Sequence, residues 1–208
     1  MSENRYWENW DKEGVAKKID ELWLSSESGW YSTLAQHIRD TFGTDVPMLE
    51  VGCGSGVVCQ SLLKAGVVRK GSYIGGDVSE SMLRIAHQRF PDASLLKLDI
   101  FRLPFVSHSQ PNVICVSVLQ HLPGYSDAMT ELLRVTKDRL YVVSWFVDDA
   151  DDQISFKPSM RWGQRFFENH YSIEKFIRFV KAAAVRRVNV HDFGYSDVHA
   201  ITIDEGGG

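Results

Sequence analysis

Three glycines alternate directly after an apolar run in "MLEVGCGSGVV", residues 48–58, and this segment constrains the fold more than any other. The apolar run predicts a buried strand, and the residues after it predict a helix with Val58, Leu62 and Leu63 on one side. A glycine-rich turn from a strand into a helix is typical of doubly wound α/β sheets, where it lies beside the ligand. Glycine allows main chain to approach a ligand that a Cβ atom would exclude.

The alternation of strand and helix continues along the chain. Short apolar and β-branched runs predict five strands, at 47–52, 72–77, 94–99, 112–118 and 139–145. Patterns with helical spacing predict helices between them, at 57–65, 80–90 and 126–136. Because the strands are apolar throughout and do not alternate, we expect a parallel sheet that is covered by helices on both faces.

Further elements flank this core. Helical patterns occur near 13–24 and 30–42, and another follows at 172–184 with Ser172 as a plausible N-cap. The end of the chain predicts two strands that form a hairpin around Gly194. We expect one domain of four parts: a helical cap at 1–45, a core at 46–145, an irregular insert at 146–170, and a helix with hairpin at 171–205.

Composition excludes several classes of protein. The 208 residues are 44% apolar and 24% charged, as in ordinary soluble domains, and no apolar run is long enough for a membrane span. A net charge of -4 disfavours a nucleic-acid partner. The polar beginning of the chain lacks the apolar region of a secretory signal, and the three cysteines have no metal-ligand spacing. These features predict a cytoplasmic protein, and they leave open whether it is a monomer or a homodimer.

Two acids close successive strands. Asp77 ends the second strand, 21 residues after Gly56, and Asp99 ends the third. A carboxylate at the first position can accept hydrogen bonds from both hydroxyls of a ribose, and one at the second can lie near an adenine amino group. The glycine spacing is G-x-G-x-G, whereas the dinucleotide fingerprint is G-x-G-x-x-G, so a nicotinamide oxidoreductase is less favoured.

Four segments, in order, carry a family resemblance: "LEVGCGSG", "IGGDVSESMLRIA", "LKLDIFRLPF" and "VSVLQHLP". They resemble the successive signatures of class I S-adenosylmethionine (SAM)-dependent methyltransferases, in the broad type 11 and type 25 branch that acts on small molecules. The resemblance covers about residues 47–145. It implies a Rossmann-like, seven-stranded, mostly parallel sheet with a C-terminal antiparallel hairpin and N-terminal helices as a lid. It also implies SAM as cofactor, S-adenosylhomocysteine as product and no metal.

The resemblance assigns roles to the residues of these motifs. Glu50 and the glycines would hold the methionine part of SAM, Asp77 the ribose, and Asp99 the adenine edge. The residues after the fourth strand would line the sulfonium side. The full set of implied cofactor contacts is Glu50, Gly52, Gly54, Gly56, Asp77, Val78, Met82, Asp99, Ile100, Val118, Leu119 and Gln120.

The sequence departs from the family pattern in two turns. The fourth strand begins Pro111-Asn112 where Phe-Asp is usual, and Lys137-Asp138 replaces paired glycines before the fifth strand. Neither position is an implied cofactor contact, so the departures bear on local turns only.

His121 is the candidate catalytic residue. It lies just past the fourth strand, where an acceptor should approach, and an imidazole suits proton abstraction from a hydroxyl. It could equally fill a turn and hydrogen-bond to backbone, and an amine acceptor needs no base. Abundant aromatic residues, among them Trp10, Trp30, Trp145 and Trp162, are compatible with a lid over a ring-shaped acceptor or with core packing.

Other functions remain open from the sequence. The acidic run "DDADD" at 148–152 suggests a metal site, but a solvated loop is favoured because the fourth strand ends without an acid.

We expect methyl transfer to oxygen or nitrogen of a small molecule. A protein or peptide methyltransferase and a SAM-binding protein without catalysis are the alternatives.

Overall fold

Strands and helices alternate along the chain in the order that the hydrophobic periodicity predicts. The structure is a computed structural model and describes residues 6–12, 14–25, 30–158, 164–183, 186–195 and 197–205. Trp162 lies outside the described residues. The described residues up to Asp99, together with Gln164, form one compact unit. Those from Ile100 to Pro158 and from Arg165 onward form a second.

The first unit contains a short parallel sheet and its helices. Its sheet has the strand order β3-β2-β1, and both pairs of strands are parallel. All four residues of β1 are buried, as expected for a strand that helices cover on both faces. The elements are a 3₁₀ helix (Tyr6–Asp11), α1 (Val15–Ser25), α2 (Trp30–Phe42), β1 (Met48–Val51), α3 (Val57–Lys64), β2 (Tyr73–Asp77), α4 (Glu80–Arg89) and β3 (Ser94–Lys97).

The second unit combines parallel and antiparallel strands. Strand β4 pairs with β5 in parallel, and the order continues through β10 to β9 with antiparallel pairs. Two-residue β8 adds in parallel to the end of β5. The elements are β4 (Gln110–Val116), a 3₁₀ helix (Leu119–His121), α5 (Ser126–Val135), β5 (Thr136–Val147), β6 (Phe156–Pro158), β7 (Arg165–Phe167), β8 (Tyr171–Ser172), α6 (Ile173–Ala183), β9 (Arg186–Tyr195) and β10 (Val198–Glu205).

The predicted fold class is confirmed, with local differences. All five predicted core strands and all six predicted helices occur, with shifted ends. The insert is more ordered than expected, because β6 and β7 pair as an antiparallel ladder. The C-terminal hairpin is present, but β9 runs through Gly194, which therefore lies in the strand and not in the turn. Ser172 caps α6 as predicted, since its Oγ accepts from the Lys175 N–H at 3.4 Å.

A buried ion pair fastens α1 to α4 in the first unit. Arg89 Nη2 lies 2.9 Å from Asp20 Oδ1, and the two side chains are only 17% and 12% exposed. The same guanidinium donates from Nη1 to the Ser55 carbonyl at 2.6 Å, so it also holds the glycine loop. Removal of one partner from a buried ion pair destabilises the folded protein, because the remaining charge then lies unpaired in a region of low dielectric.

We therefore predict that Arg89→Met lowers the free energy of unfolding by about 3 kcal/mol, because Asp20 then keeps a buried charge without its partner. Lys70→Met is the matched control. Its pair with Asp92 has side chains 72% and 73% exposed, and such pairs contribute less than about 1 kcal/mol. Urea unfolding followed by circular dichroism measures both. Equal losses in the two variants would contradict the structural role of Arg89.

Candidate functional site

Asp77 lies at the end of β2 and joins the glycine loop to helix α4. Its Oδ2 accepts from the Gly54 N–H at 2.8 Å, and its Oδ1 accepts from the Ser79 N–H at 2.8 Å. A carboxylate has about four acceptor positions, so it can accept from further donors. Desolvation by burial is the largest cause that raises the pKa of Asp77, and the backbone N–H groups of Ser79, Gly54 and Val78 oppose it.

The glycine loop, residues 52–56, needs its glycines for geometry and for close approach. Gly52, Gly54 and Gly56 all have positive φ, at 82°, 52° and 83°. A Cβ at Gly54 would lie 2.9 Å from the indole of Trp23, so α1 packs directly on the main chain there. Gly56 is the N-cap of α3, and none of the described side chains caps this helix end. The first N–H groups of α3 thus present a partial positive charge at the loop.

Ser55 places a buried hydroxyl in the same loop. The residue is fully buried, and its Oγ has no hydrogen-bond partner within the described part of the chain. Buried polar atoms are normally paired, so an unpaired hydroxyl beside an uncapped helix terminus calls for a hydrogen-bonding ligand.

Glu50 lies at the third position of β1 and is fully buried. Its Oε2 accepts from the hydroxyl of Tyr73 at 2.5 Å. Burial raises the pKa of Glu50 to about 8, which exceeds the lowering by the Tyr73 hydrogen bond. Burial, with Glu50 and then Asp20, also raises the pKa of Tyr31 to about 12, so this phenol stays protonated. The surroundings of the loop are therefore rich in carboxyl groups.

The N-terminal 3₁₀ helix attaches to the start of α4. Asp11 Oδ1 accepts from the Ser79 hydroxyl at 2.7 Å and from the Ser81 N–H at 2.9 Å. This acid stabilises the positive end of α4, as expected for a carboxylate at a helix N-terminus. Sequence reasoning missed Asp11, Asp20, Trp23 and Arg89, because nothing in their local pattern marks contacts that lie more than thirty residues away along the chain.

The other implied contacts of the first unit differ in exposure. Val78 is half-buried next to Asp77, whereas Met82 is only 2% exposed and belongs to the core. Asp99 is exposed and lies two residues past the end of β3, so the third strand does not reach it. Ile100, the first residue of the second unit, is buried.

In the second unit, a strained turn follows β4. Ser117 has a φ of 55°, which is uncommon for a residue with a side chain and is typical of functional turns. Val118 is half-buried, while Leu119 and Gln120 are buried in the 3₁₀ helix that follows. Gln120 Oε1 accepts from the Ser144 hydroxyl at 3.0 Å. The side chain of Gln120 is thus engaged within this unit.

The end of the insert holds this turn in place. The Asn169 N–H donates to the Gln120 carbonyl at 3.0 Å, and its Nδ2 donates to the Leu122 carbonyl at 2.7 Å. The hydroxyl of Tyr171 donates to the Leu119 carbonyl at 2.8 Å. The carbonyls of Leu119, Gln120 and Leu122 in the turn therefore accept hydrogen bonds from two buried residues, Asn169 and Tyr171. No sequence signal identified either residue.

His121 is oriented by the insert. Its Nδ1 lies 2.7 Å from the Phe167 carbonyl, which can only accept, so Nδ1 carries the proton. The neutral ring then has Nε2 in the basic form. Burial is the largest cause of a lowered pKa for His121, which keeps the imidazole neutral at pH 7.

The acidic run has structural partners. Asp152 Oδ1 accepts from the Ser172 N–H at 2.8 Å, and Asp151 pairs with Lys175 at 2.5 Å. Asp149 accepts from the Gln153 amide at 2.7 Å. Across the described ranges, no group of three or more acidic, histidine or cysteine side chains is placed to hold a metal ion. Of the helices so described, none is long and apolar enough to cross a membrane.

Comparisons with known proteins agree with this geometry. Residues 49–143 match a family model described as a methyltransferase domain. A demethylmenaquinone methyltransferase from Oceanobacillus iheyensis is 35% identical over 94 residues, which are 43% of this chain and 39% of that protein. A ubiquinone biosynthesis O-methyltransferase from Hydrogenovibrio crunogenus is 28% identical over 126 residues, 58% of this chain and 46% of that protein. The chain thus spans less than half the length of these curated relatives.

Solved structures show the same fold. The DhpI complex with S-adenosylhomocysteine (SAH) superposes with a TM-score of 0.72 at 14% identity, over 92% of this chain and 91% of that chain. The fold is that of class I SAM-dependent methyltransferases, as the resemblance implied. Residues 49–143, which are somewhat less than half of the chain, are similar to the methyltransferase domain family.

The raised pKa of Glu50 predicts a pH dependence of stability. The unfolded chain loses the Glu50 proton near pH 4.5, whereas the folded protein keeps it until about pH 8. The stabilisation from this group is complete below pH 4.5 and is lost as the pH rises to about 8, because folding must take up a proton. The difference in unfolding free energy between the unmodified protein and Glu50→Gln should therefore fall over this window. A difference that stays constant in urea titrations at pH 5, 6.5 and 8 would contradict the assignment.

Proposed function

We propose that this protein binds SAM at the glycine loop and transfers its methyl group to a small molecule. The arrangement of Asp77 carries the proposal. Its carboxylate is fixed by the Gly54 and Ser79 N–H groups and has acceptor positions left for the two hydroxyls of a ribose. Glycines of positive φ and the uncapped start of α3 lie directly beside it.

The buried carboxyl group of Glu50 is compatible with SAM. SAM carries a sulfonium and an ammonium group, and a bound cation favours the ionised form of Glu50, whose pKa is raised to about 8 by burial. Asp20 is already neutralised by Arg89 and adds no net charge.

The residues of the first unit fit SAM. When bound, SAM supplies a methyl group that is already activated by the sulfonium. Ser55 Oγ and the first N–H groups of α3 would hold its carboxylate, since the hydroxyl is buried without a partner among the described residues. Glu50 and the main chain of Gly52 and Gly54 would hold the amino end. Asp77 would bind the ribose, with Val78, Met82, Asp99 and Ile100 around the adenine.

The second unit contains the residues that the family resemblance assigns to the reacting end of SAM. They are Val118 to Gln120, on a turn that Asn169 and Tyr171 hold in place. For a hydroxyl acceptor, His121 would take the proton at Nε2, because Nδ1 is held by the Phe167 carbonyl. Val118 to Gln120 and His121 would also align the acceptor and exclude water from it.

The acceptor class is a further part of the proposal. The names of both curated relatives refer to quinone metabolism, which supports a small ring compound. Transfer to oxygen or nitrogen follows from the sequence analysis. A peptide acceptor and a SAM-binding protein without catalysis are the competing functions. An assay that follows transfer of radiolabel from SAM to the low-molecular-weight compounds of a metabolite extract distinguishes these three functions.

Calorimetry tests whether SAM is the cofactor. The protein should bind SAM and SAH with dissociation constants on the order of micromolar. Asp77→Asn should weaken SAM binding by about 10- to 100-fold, as expected for lost hydrogen bonds to a charged group. Asp92→Asn, in an exposed pair with Lys70, is the control and should leave affinity unchanged. Binding of NADH without binding of SAM would overturn the proposal.

For a hydroxyl acceptor, His121→Ala should lower turnover by about 10²- to 10⁴-fold and leave SAM affinity unchanged, because the base is removed and the cofactor contacts remain. The rate of the unmodified enzyme should be constant near neutral pH and fall only in acid, below pH 6.5, because burial lowers the pKa of His121. His87→Ala, on the exposed surface of α4, is the control. A His121→Ala variant with unmodified turnover on a hydroxyl substrate would remove this residue from the chemistry.

A further inference from the structure

Three segments of the second unit bring an aromatic row to the end of β5. The row consists of His121, Trp145 and His170, with Asp197 at its end. Trp145 lies near the carboxyl end of β5, and His170 directly precedes β8, which pairs with the last residues of β5. Asp197 lies beside the same end, since its carbonyl accepts from the Phe146 N–H at 2.8 Å. Ligands of α/β sheets bind beyond the carboxyl ends of parallel strands, which is where the row lies.

The rings contact one another in sequence. The ring of His170 stacks on Trp145 with centroids 5.2 Å apart and an interplanar angle of 29°. His121 meets the same indole edge-on, at 5.8 Å and 70°. One indole thus contacts both imidazoles and restricts their orientation. The row is accessible to a ligand, because the side chains of His170 and Asp197 are 29% and 44% exposed.

Asp197 fixes the hydrogen-bonding form of His170. Its Oδ2 lies 3.2 Å from His170 Nε2, and a carboxylate only accepts, so Nε2 carries a proton. In the neutral tautomer that carries this proton, Nδ1 is the acceptor. The carbonyl of Phe167 imposes the complementary form on His121, with Nε2 as the acceptor.

We propose that this row is the acceptor subsite and that it selects a planar ring bearing two hydroxyl groups. Two imidazole acceptors that contact one indole match two hydroxyl donors and a flat apolar body. His170 binds the hydroxyl that is not methylated, and Asp197 is its positioning residue. The inference rests on the proposed function and adds His170, Trp145 and Asp197, which neither the motifs nor the comparisons assign.

The test uses equilibrium dialysis and steady-state kinetics with three ring diols: catechol, 3,4-dihydroxybenzoate and 1,4-dihydroxynaphthalene. Binding is measured in the presence of saturating SAH, so that it does not depend on turnover. At least one diol should bind to the unmodified protein, and its monohydroxyl analogue should bind more weakly. His170→Gln should weaken diol binding, and raise KM where transfer occurs, by about 3- to 10-fold, with kcat changed less than about threefold.

The controls separate this inference from the proposed function. Asp197→Asn should give a smaller loss in the same direction, and Trp145→Phe should weaken binding of monohydroxyl and dihydroxyl rings alike. His191→Gln, at a half-exposed histidine bonded to Thr202 on the hairpin, should leave diol binding unchanged. Normal SAH binding with no diol binding, or with equal diol affinity in His170→Gln, overturns the subsite and leaves the proposed function standing. Absence of SAM and SAH binding overturns the proposed function itself.

Discussion

The carboxylate of Asp77 is the constraint on which the proposed cofactor site depends. It accepts from Gly54 in the glycine loop and from Ser79 at the start of α4, so one side chain sets the position of both. Asp11 adds a second acidic contact to the same helix start, and Arg89 ties the loop carbonyl of Ser55 to α1. Neighbouring carboxylates repel one another, and a positively charged ligand is attracted by each of them. A site that is arranged by fixed acids therefore suits a positively charged ligand.

The turn after β4 in the second unit is held in place in a different way. There, a turn with positive φ at Ser117 is held by side chains from the distant insert rather than by its own sequence. Asn169 and Tyr171 satisfy the carbonyls of the turn, and the Phe167 carbonyl sets the tautomer of His121. A catalytic group on a rigid turn loses little freedom on binding its partner, which is why such turns are effective positions for a base.

The strand and helix order and the glycine motif could be predicted from sequence because they depend on local periodicity and on backbone constraints. Asp77 could be found because it follows a strand at a characteristic distance from the loop. The Arg89–Asp20 pair, the Asn169 and Tyr171 contacts and the Asp197–His170 pair could not, since each joins residues distant in sequence. The ladder of β6 and β7 was missed for a related reason, because three-residue strands lack a resolvable period. The roles toward ligands of Glu50, Asp77, Asp99, His121 and the other implied contacts stay predictions.

A crystal structure of the protein with SAH bound tests the central claim most directly. We predict that the ribose hydroxyls donate to Asp77 and that the carboxylate of SAH lies at Ser55 Oγ and the first N–H groups of α3. We further predict that the Gly54 and Ser79 contacts to Asp77 persist, because a carboxylate can accept from these N–H groups and from the hydroxyls together. SAH bound elsewhere, with no contact to Asp77 or to residues 52–56, would contradict it.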